Sequence, residues 1–294
     1  MTSFPNFYPF FSMTTSETLQ TETLQMADNE ATSLKSIVQE KYGAIAQQAS
    51  NGCGPACGCG PVSISTDSIM SEDYSALQGY VADADLSLGC GIPTQFADIN
   101  AGDTVVDLGS GAGNDAFVAR AIVGNTGRVI GVDFTEAMVQ KARQNNAKLG
   151  FANVEFVQGD IEAMPIENAI ADVVVSNCVL NLVPNKRAAF SEIFRVLKSG
   201  AHFTISDIVL EGNLPDGIQK AAEMYAGCVS GAIQKNDYLA IIQEQGFVNI
   251  NTPKEREIML PDELLREYIT PEEVERFRAS GARLLSITVV GVKP

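Results

Sequence analysis

The stretch Val105-Val106-Asp107-Leu108-Gly109-Ser110-Gly111-Ala112-Gly113 leaves little freedom to the fold around it. Its β-branched start reads as a buried strand, and its alternating glycines read as a tight turn that opens a helix. The segments that follow keep that rhythm. Strands are expected at Thr104 to Leu108, Arg128 to Val132, Val154 to Gln158, Asp172 to Ser176 and His202 to Ser206. Helices are expected between them at Ala112 to Val123, Glu136 to Leu149 and Asn185 to Leu197. Strands and helices alternating at this spacing imply an α/β fold with parallel strands joined by right-handed crossovers.

The flanks read differently. Leu34, Ile37, Val38, Tyr42 and Ile45 recur at helical spacing, and a short helix is expected over Ser71 to Tyr80. After Asp207 the pattern gives helices near Gln219 to Val229 and Asn236 to Gln245, then a strand near Val248. Helices starting at Pro261 and Pro271 and a strand over Leu284 to Val292 close the chain. Residues 1–30 contain no Lys or Arg and are broken by Pro5 and Pro9, so a disordered tail or leader is expected rather than a secretory signal. The divisions expected are 1–30, 31–210 and 211–294.

Acidic residues mark the carboxyl ends of the first three strands. Asp107 precedes the glycine turn, Asp133 ends the second strand, and Asp160 with Ile161 follows the third. A carboxylate about twenty residues beyond a glycine turn can accept both hydroxyls of a ribose, and Asp160 is placed to face an adenine amino group. The glycines here run GxGxG through Gly109, Gly111 and Gly113, whereas a pyrophosphate loop spaces them GxGxxG. That arrangement resembles the S-adenosylmethionine site of class I methyltransferases, a Rossmann-like sheet with helices on both faces. The cofactor carries no phosphate, and acids suit its sulfonium and ammonium charges. A nicotinamide dinucleotide is the alternative.

Six cysteines stand at 53, 57, 59, 90, 178 and 228, with a single histidine, His202, which is expected to be structural. A disulfide framework belongs to small secreted domains, so free thiols in a reducing cytoplasm are expected. With 20 basic against 36 acidic residues the formal charge is −16, which argues against nucleic acid or an anionic membrane surface as partner. No apolar run approaches the ~20 residues of a membrane helix. Cys178 lies just beyond the fourth strand, and Cys90 and Cys228 are flanked by small residues. Cys53-Gly54-Pro55-Ala56-Cys57-Gly58-Cys59 brings three thiols together, and a zinc site with Cys90 as fourth ligand is one reading of them.

Taken together, Leu-Gly-Cys-Gly at 88–91, Ser-Asn-Cys-Val-Leu-Asn-Leu at 176–182 and Tyr-Ala-Gly-Cys-Val-Ser-Gly at 225–231 resemble the arsenic-binding segments of arsenite S-adenosylmethionine methyltransferases. The similarity runs over roughly residues 35–294, without the long carboxyl-terminal extension of animal and algal relatives, as in a compact bacterial-type member. The resemblance implies arsenite as substrate, methylated first to methylarsenite and then to a dimethylated product, with detoxification as the outcome. It implies that Cys178 and Cys228 hold arsenic throughout and that Cys90 completes a three-thiolate site. Cys53, Cys57 and Cys59 correspond to the family's amino-terminal cysteines, which capture arsenic or pair with Cys90 in a disulfide. It further implies cofactor contacts from Asp107, Gly109, Gly111, Gly113, Asp133, Asp160, Ile161 and Asn177. Asn114-Asp115 follows the glycine loop at a place where family members vary, and Asp115 is expected to help hold the methionine end of the cofactor. An external thiol reductant, glutathione or thioredoxin, would keep the cysteines reduced, and the arsenicals would arrive as thiol conjugates. Trivalent arsenic is soft and prefers thiolates, which supports the assignment on chemical grounds. Two other functions share part of this pattern: a carbon methyltransferase acting on quinones or sterols, and a non-catalytic thiol binder of metalloids or zinc.

Overall fold

The computed structural model describes residues 32, 35–47, 72–219 and 231–294. The expected tail at 1–30, the loop bearing Cys53, Cys57 and Cys59, most of the helix expected at Gln219 to Val229, and Cys228 lie outside the described residues.

Seven strands form one sheet: β1 (Thr104–Leu108), β2 (Arg128–Asp133), β3 (Val154–Gln158), β4 (Ala171–Asn177), β5 (Leu197–Glu211), β6 (Val248–Ile258) and β7 (Arg283–Val292). Their order is β3-β2-β1-β4-β5-β7-β6. The first five are parallel, and β7 is antiparallel to both β5 and β6. The sheet is therefore mixed, as in class I methyltransferases. The longer helices among the described residues are α1 (35–47), α2 (Asn114–Val123), α3 (Glu136–Leu149), α4 (Lys186–Val196), α5 (Lys235–Glu244) and α6 (Pro271–Ser280), and single helical turns stand at Asp216–Gln219 and Asp262–Leu265.

Strand alternation sends side chains to two cores. Val105, Val129 and Val173 pack with Phe117 of α2 and Val139 of α3, whereas Val106, Ile130 and Val174 pack with Phe190 of α4 and Tyr238 of α5. Both faces are thus covered, which is why the parallel strands read as continuous apolar runs. Local signals close the helices: α3 ends at Gly150 with φ +71°, and Thr270 with Glu273 forms a capping box at the start of α6. Because β1 connects to one side and β4 to the other, a crevice opens beyond their carboxyl ends, the usual ligand position in such sheets.

Three expectations change. Residues 74–79 form turns rather than the helix expected over Ser71 to Tyr80. Tyr74 turns inward to full burial, and Gly79, at φ +89°, sits so close to α2 that a Cβ would come within 2.5 Å of the Phe117 carbonyl. β5 continues past Ser206 to Glu211 because β7 pairs along it from His202 to Glu211. β6 reaches Ile258 through Lys254, Glu255, Arg256 and Glu257, an edge strand whose charges hide it from an apolar-pattern reading. His202 is structural as expected, its ring nitrogen 2.6 Å from the Ala97 carbonyl.

Among the described residues no helix is long and apolar enough to cross a membrane.

Candidate active site

The glycine turn follows β1 and borders the crevice. Gly109, at φ +63°, lies where a Cβ would be 2.3 Å from Val179 Cγ2, so only glycine fits. Asp133 at the end of β2 latches this turn: its Oδ2 accepts from the Gly111 amide at 2.9 Å and its Oδ1 from the Thr135 amide at 2.8 Å. Carboxylate oxygens have two acceptor positions each, so Asp133 keeps capacity toward the crevice it lines. Ile161 and Asp160 line the same cavity from the end of β3. Asp160 Oδ2 is ion-paired with Lys35 of α1 at 2.6 Å, and Lys35 also pairs with Glu162. Gly113 does not line the cavity; it starts α2 with its Cα against the Phe117 ring, where a Cβ would be 2.7 Å from Cε2.

Three carboxylates line the inner wall, and none of them forms an ion pair among the described residues. Asp107, Asp115 and Asp133 are all buried. Burial is the chief cause that pushes Asp107 well above the usual carboxylate range, and the nearby Asp115 and Asp133 charges add to it. Burial likewise raises Asp115 to about 6, against the hydrogen bonds it receives from Asn177 and Tyr74. Asp133 is raised by burial too, opposed by its bonds from Thr135 and Gly111. Asp107 Oδ2 and Asn114 Oδ1 are buried with no hydrogen-bond partner among the described residues. Orphaned acceptors beside underneutralised acids fit a ligand that brings an ammonium or sulfonium charge.

Cys178 and Cys90 lie beside this wall. Cys178 follows β4 with φ +60°, its amide donating to the Ser206 carbonyl at 2.8 Å. The Gly89-Cys90-Gly91 turn presses against Asn177 and Ser206, with Cα atoms of Cys90 and Cys178 5.7 Å apart. The two cysteines are joined in a disulfide, which corrects the expectation of free thiols for this pair. The separation falls in the range a disulfide spans, because the turn is anchored to the residue preceding Cys178. The pairing is thus between Cys90 and Cys178, rather than between Cys90 and the amino-terminal loop that the resemblance suggested. One carboxylate oxygen of buried Asp207 lies within 4.8 Å of both sulfurs. Asp207 is raised to about 7 by burial, and it accepts from the Ile208 amide at 3.0 Å and from Tyr238 Oη at 3.2 Å.

Residues 99–246 match a family model described as a methyltransferase domain. An arsenite methyltransferase of Halobacterium salinarum is 36% identical across 99% of this chain and 74% of its own length. The chain belongs to the arsenite methyltransferase family. A second arsenite methyltransferase, from Aquipseudomonas alcaligenes, is 32% identical over 70% of the chain, which spans 60% of that protein's length. The crystal structure of an arsenic(III) S-adenosylmethionine methyltransferase from Chlamydomonas reinhardtii superposes with a TM-score of 0.60 at 35% identity, covering 70% of this chain and 67% of that one.

Two residues lining the cavity carry no motif that sequence reading could use: Tyr74 lies in the segment expected to be helical, and Lys35 reaches Asp160 from 125 positions away. Asp207, just beyond the stretch His202 to Ser206, reads in the sequence either as an acid facing the crevice or as an ordinary strand-end acid, and the structure sets it beside the two sulfurs.

A cation of S-adenosylmethionine or its demethylated product seated at Asp115 would make binding pH-dependent. A cationic ligand favours the ionised form of Asp115, so it lowers the pKa of about 6 that the empty cleft imposes. Affinity therefore rises with pH by up to about tenfold per unit, and the Asp115 contribution levels off above that value. Calorimetric titration with S-adenosylhomocysteine from pH 5 to 8 should show the rise in the wild type and a shallower one in Asp115→Asn. Identical profiles for the two proteins would contradict the role of Asp115.

Proposed function

We propose that this chain transfers the methyl group of S-adenosylmethionine to trivalent arsenic held by the thiolates of Cys178, Cys228 and, in the first round, Cys90. The observation that carries the reading is the adjacency of two arrangements in one crevice: the buried acids around the glycine turn and the Cys90–Cys178 pair beside them. In this reading residues 31–210 bind the cofactor and residues 211–294 complete the arsenic site.

The cofactor supplies an electrophilic methyl on a sulfonium. Asp133 accepts the ribose hydroxyls, Asp160 and Ile161 hold the adenine, and Asp107 with Asp115 receives the α-ammonium at the methionine end. Gly109 and Gly111 let the main chain approach the nucleoside, Gly113 sets the start of α2 behind them, and Asn177 stands between cofactor and thiols. The disulfide is first opened by two equivalents of glutathione or by one of a thioredoxin-type dithiol protein, which leaves as the oxidised disulfide. Arsenite, neutral at pH 7, exchanges hydroxides for thiolates, and the thiol protons leave with them as water. Thiolates on soft arsenic leave its lone pair directed outward, so it displaces S-adenosylhomocysteine from the methyl by positioning, with no general base. The methylated arsenic, then formally pentavalent, returns to the trivalent state as two of its thiolates leave as a disulfide, which the external thiol reduces before the next round. Cys53, Cys57 and Cys59 serve as a capture site for incoming arsenic. The dependence on a reducing thiol suits the cytoplasm, and detoxification is the physiological outcome.

The test is incubation of the full chain with arsenite, S-adenosylmethionine and glutathione, followed by chromatographic separation of arsenic species with elemental mass detection. Mono- and dimethylated arsenicals are expected, and none when glutathione is omitted. Arsenite binding without methylated product would leave only a sequestering protein. Cys90→Ser should lose methylation of arsenite while retaining that of methylarsenite, since the second substrate needs one thiolate fewer. Equal loss on both substrates would show that Cys90 acts in every round.

A further inference from the structure

Asn177 stands between the two halves of the site, and its hydrogen bonds are more numerous than its hydrogens. Its Oδ1 accepts from the amides of Cys90 at 3.0 Å and Gly91 at 3.2 Å. That fixes the orientation of the amide, because the reverse orientation would set an NH₂ group against two N–H donors. Its Nδ2 then faces three acceptors: Tyr74 Oη and the Gly91 carbonyl, both at 2.7 Å, and Asp115 Oδ2 at 3.1 Å. The single Tyr74 hydroxyl hydrogen also faces three, the Gly91 carbonyl at 3.0 Å and both Asp115 oxygens at 2.9 Å. An amide carries two hydrogens and a phenol one, so three hydrogens are shared among six contacts. Asp115 and the Gly91 carbonyl compete for them.

The two competitors belong to different substrates. Asp115 lines the cofactor cavity, and Gly91 follows Cys90 in the turn that carries the third arsenic thiol. We infer that Asn177 is a positioning residue that couples the two: a cofactor cation seated at Asp115 releases the shared hydrogens to the Gly91 carbonyl, which fixes the Cys90 turn and tightens arsenite binding. The inference rests on the roles proposed above for Cys90 and for the acid-lined cavity. The turn has little other freedom, since a Cβ on Gly89 would lie 2.4 Å from Asn177 Nδ2 and one on Gly91 2.6 Å from Ser206 Oγ. Asn177 is also the residue before Cys178, so one side chain addresses both members of the thiol pair. Coupling of this kind is reciprocal: arsenite must tighten the cofactor by the same factor.

The experiment uses the full chain, reduced with a phosphine and desalted, and titrates arsenite calorimetrically with and without saturating sinefungin. Sinefungin is an unreactive cofactor analogue that carries both cationic groups. In the wild type, arsenite affinity should rise by about fivefold or more when sinefungin is present, and sinefungin affinity by the same factor with arsenite. Asn177→Ala should bring that ratio to about one while each ligand still binds alone, an outcome that a merely structural role would not produce. Asp115→Asn keeps the shape of the network but has no charge for a cation to satisfy, and its ratio should also fall to about one whatever its cofactor affinity. It decides the matter if Asn177→Ala does not fold. A ratio near one in the wild type, or a wild-type ratio in either folded variant, overturns the coupling. If the wild type methylates arsenite but shows no coupling, only this inference fails. If it neither binds nor methylates arsenite, the functional reading fails with it.

Discussion

Cys178→Ser is expected to reduce arsenic methylation to background, a loss of about a hundredfold or more. The substitution is nearly isosteric, and the backbone that positions the residue does not depend on sulfur: φ of +60° and the amide bond to the Ser206 carbonyl at 2.8 Å are both open to serine. What changes is the donor, from a soft thiolate to a hard hydroxyl with little affinity for trivalent arsenic. Binding of S-adenosylhomocysteine should stay within about twofold of the wild type, because the cofactor acids lie elsewhere in the crevice. The comparison is made by arsenic speciation on reduced proteins, so loss of the disulfide does not confound it. A variant that kept a tenth of the wild-type rate would show that the thiol of Cys178 is not a substrate ligand.

Gly109→Ala should weaken the cofactor complex by about tenfold or more and destabilise the fold. Left-handed backbone costs a residue with a Cβ about 1–2 kcal/mol, and at this position the new methyl would also meet Val179 Cγ2 at 2.3 Å and Cγ1 at 2.7 Å. Relief would displace either the glycine turn or the Val179 segment next to Cys178, and both border the cavity. Gly124→Ala separates the two effects. Its φ is +70° but no atom lies within 4 Å of its Cβ position, so it should lose stability alone and leave cofactor affinity unchanged. Thermal unfolding and calorimetry on both variants measure this, and equal cofactor affinities for the two would contradict steric closure at Gly109.

The parallel half of the sheet was legible because its signals are local. β1, β2 and β4 are β-branched runs buried on both faces, β3 is an edge strand in which buried Val154 and Phe156 alternate with more exposed residues, and the helix after β4 starts at Asn185, which accepts from the Ala188 amide at 3.0 Å. That Asp107, Asp133 and Asp160 border one cavity was legible for the same reason: each stands at or just beyond the carboxyl end of a strand, at regular intervals. What escaped depends on residues distant in sequence. Tyr74 owes its position to Asp115 and Asn177, the extension of β5 owes its length to β7, and β6 shows no apolar alternation because its outer edge has no neighbouring strand. The Cys90–Cys178 pairing belongs to this second class, since a separation of 88 residues is bridged only when the Asn177 amide draws the Cys90 turn against β4.

The order of strands at the antiparallel end has a consequence for synthesis. β7 is the last strand in the chain, yet it lies between β5 and β6 and bonds to both. As the polypeptide leaves the ribosome, the β6 segment emerges before β7, the strand it pairs with among the described residues, and the β5 edge that bonds to β7 waits for the same moment. The lysine, two glutamates and arginine of β6 make that waiting segment a poor template for other nascent chains. Completion of the antiparallel end therefore waits for Arg283 to Val292, which are synthesised after the five parallel strands.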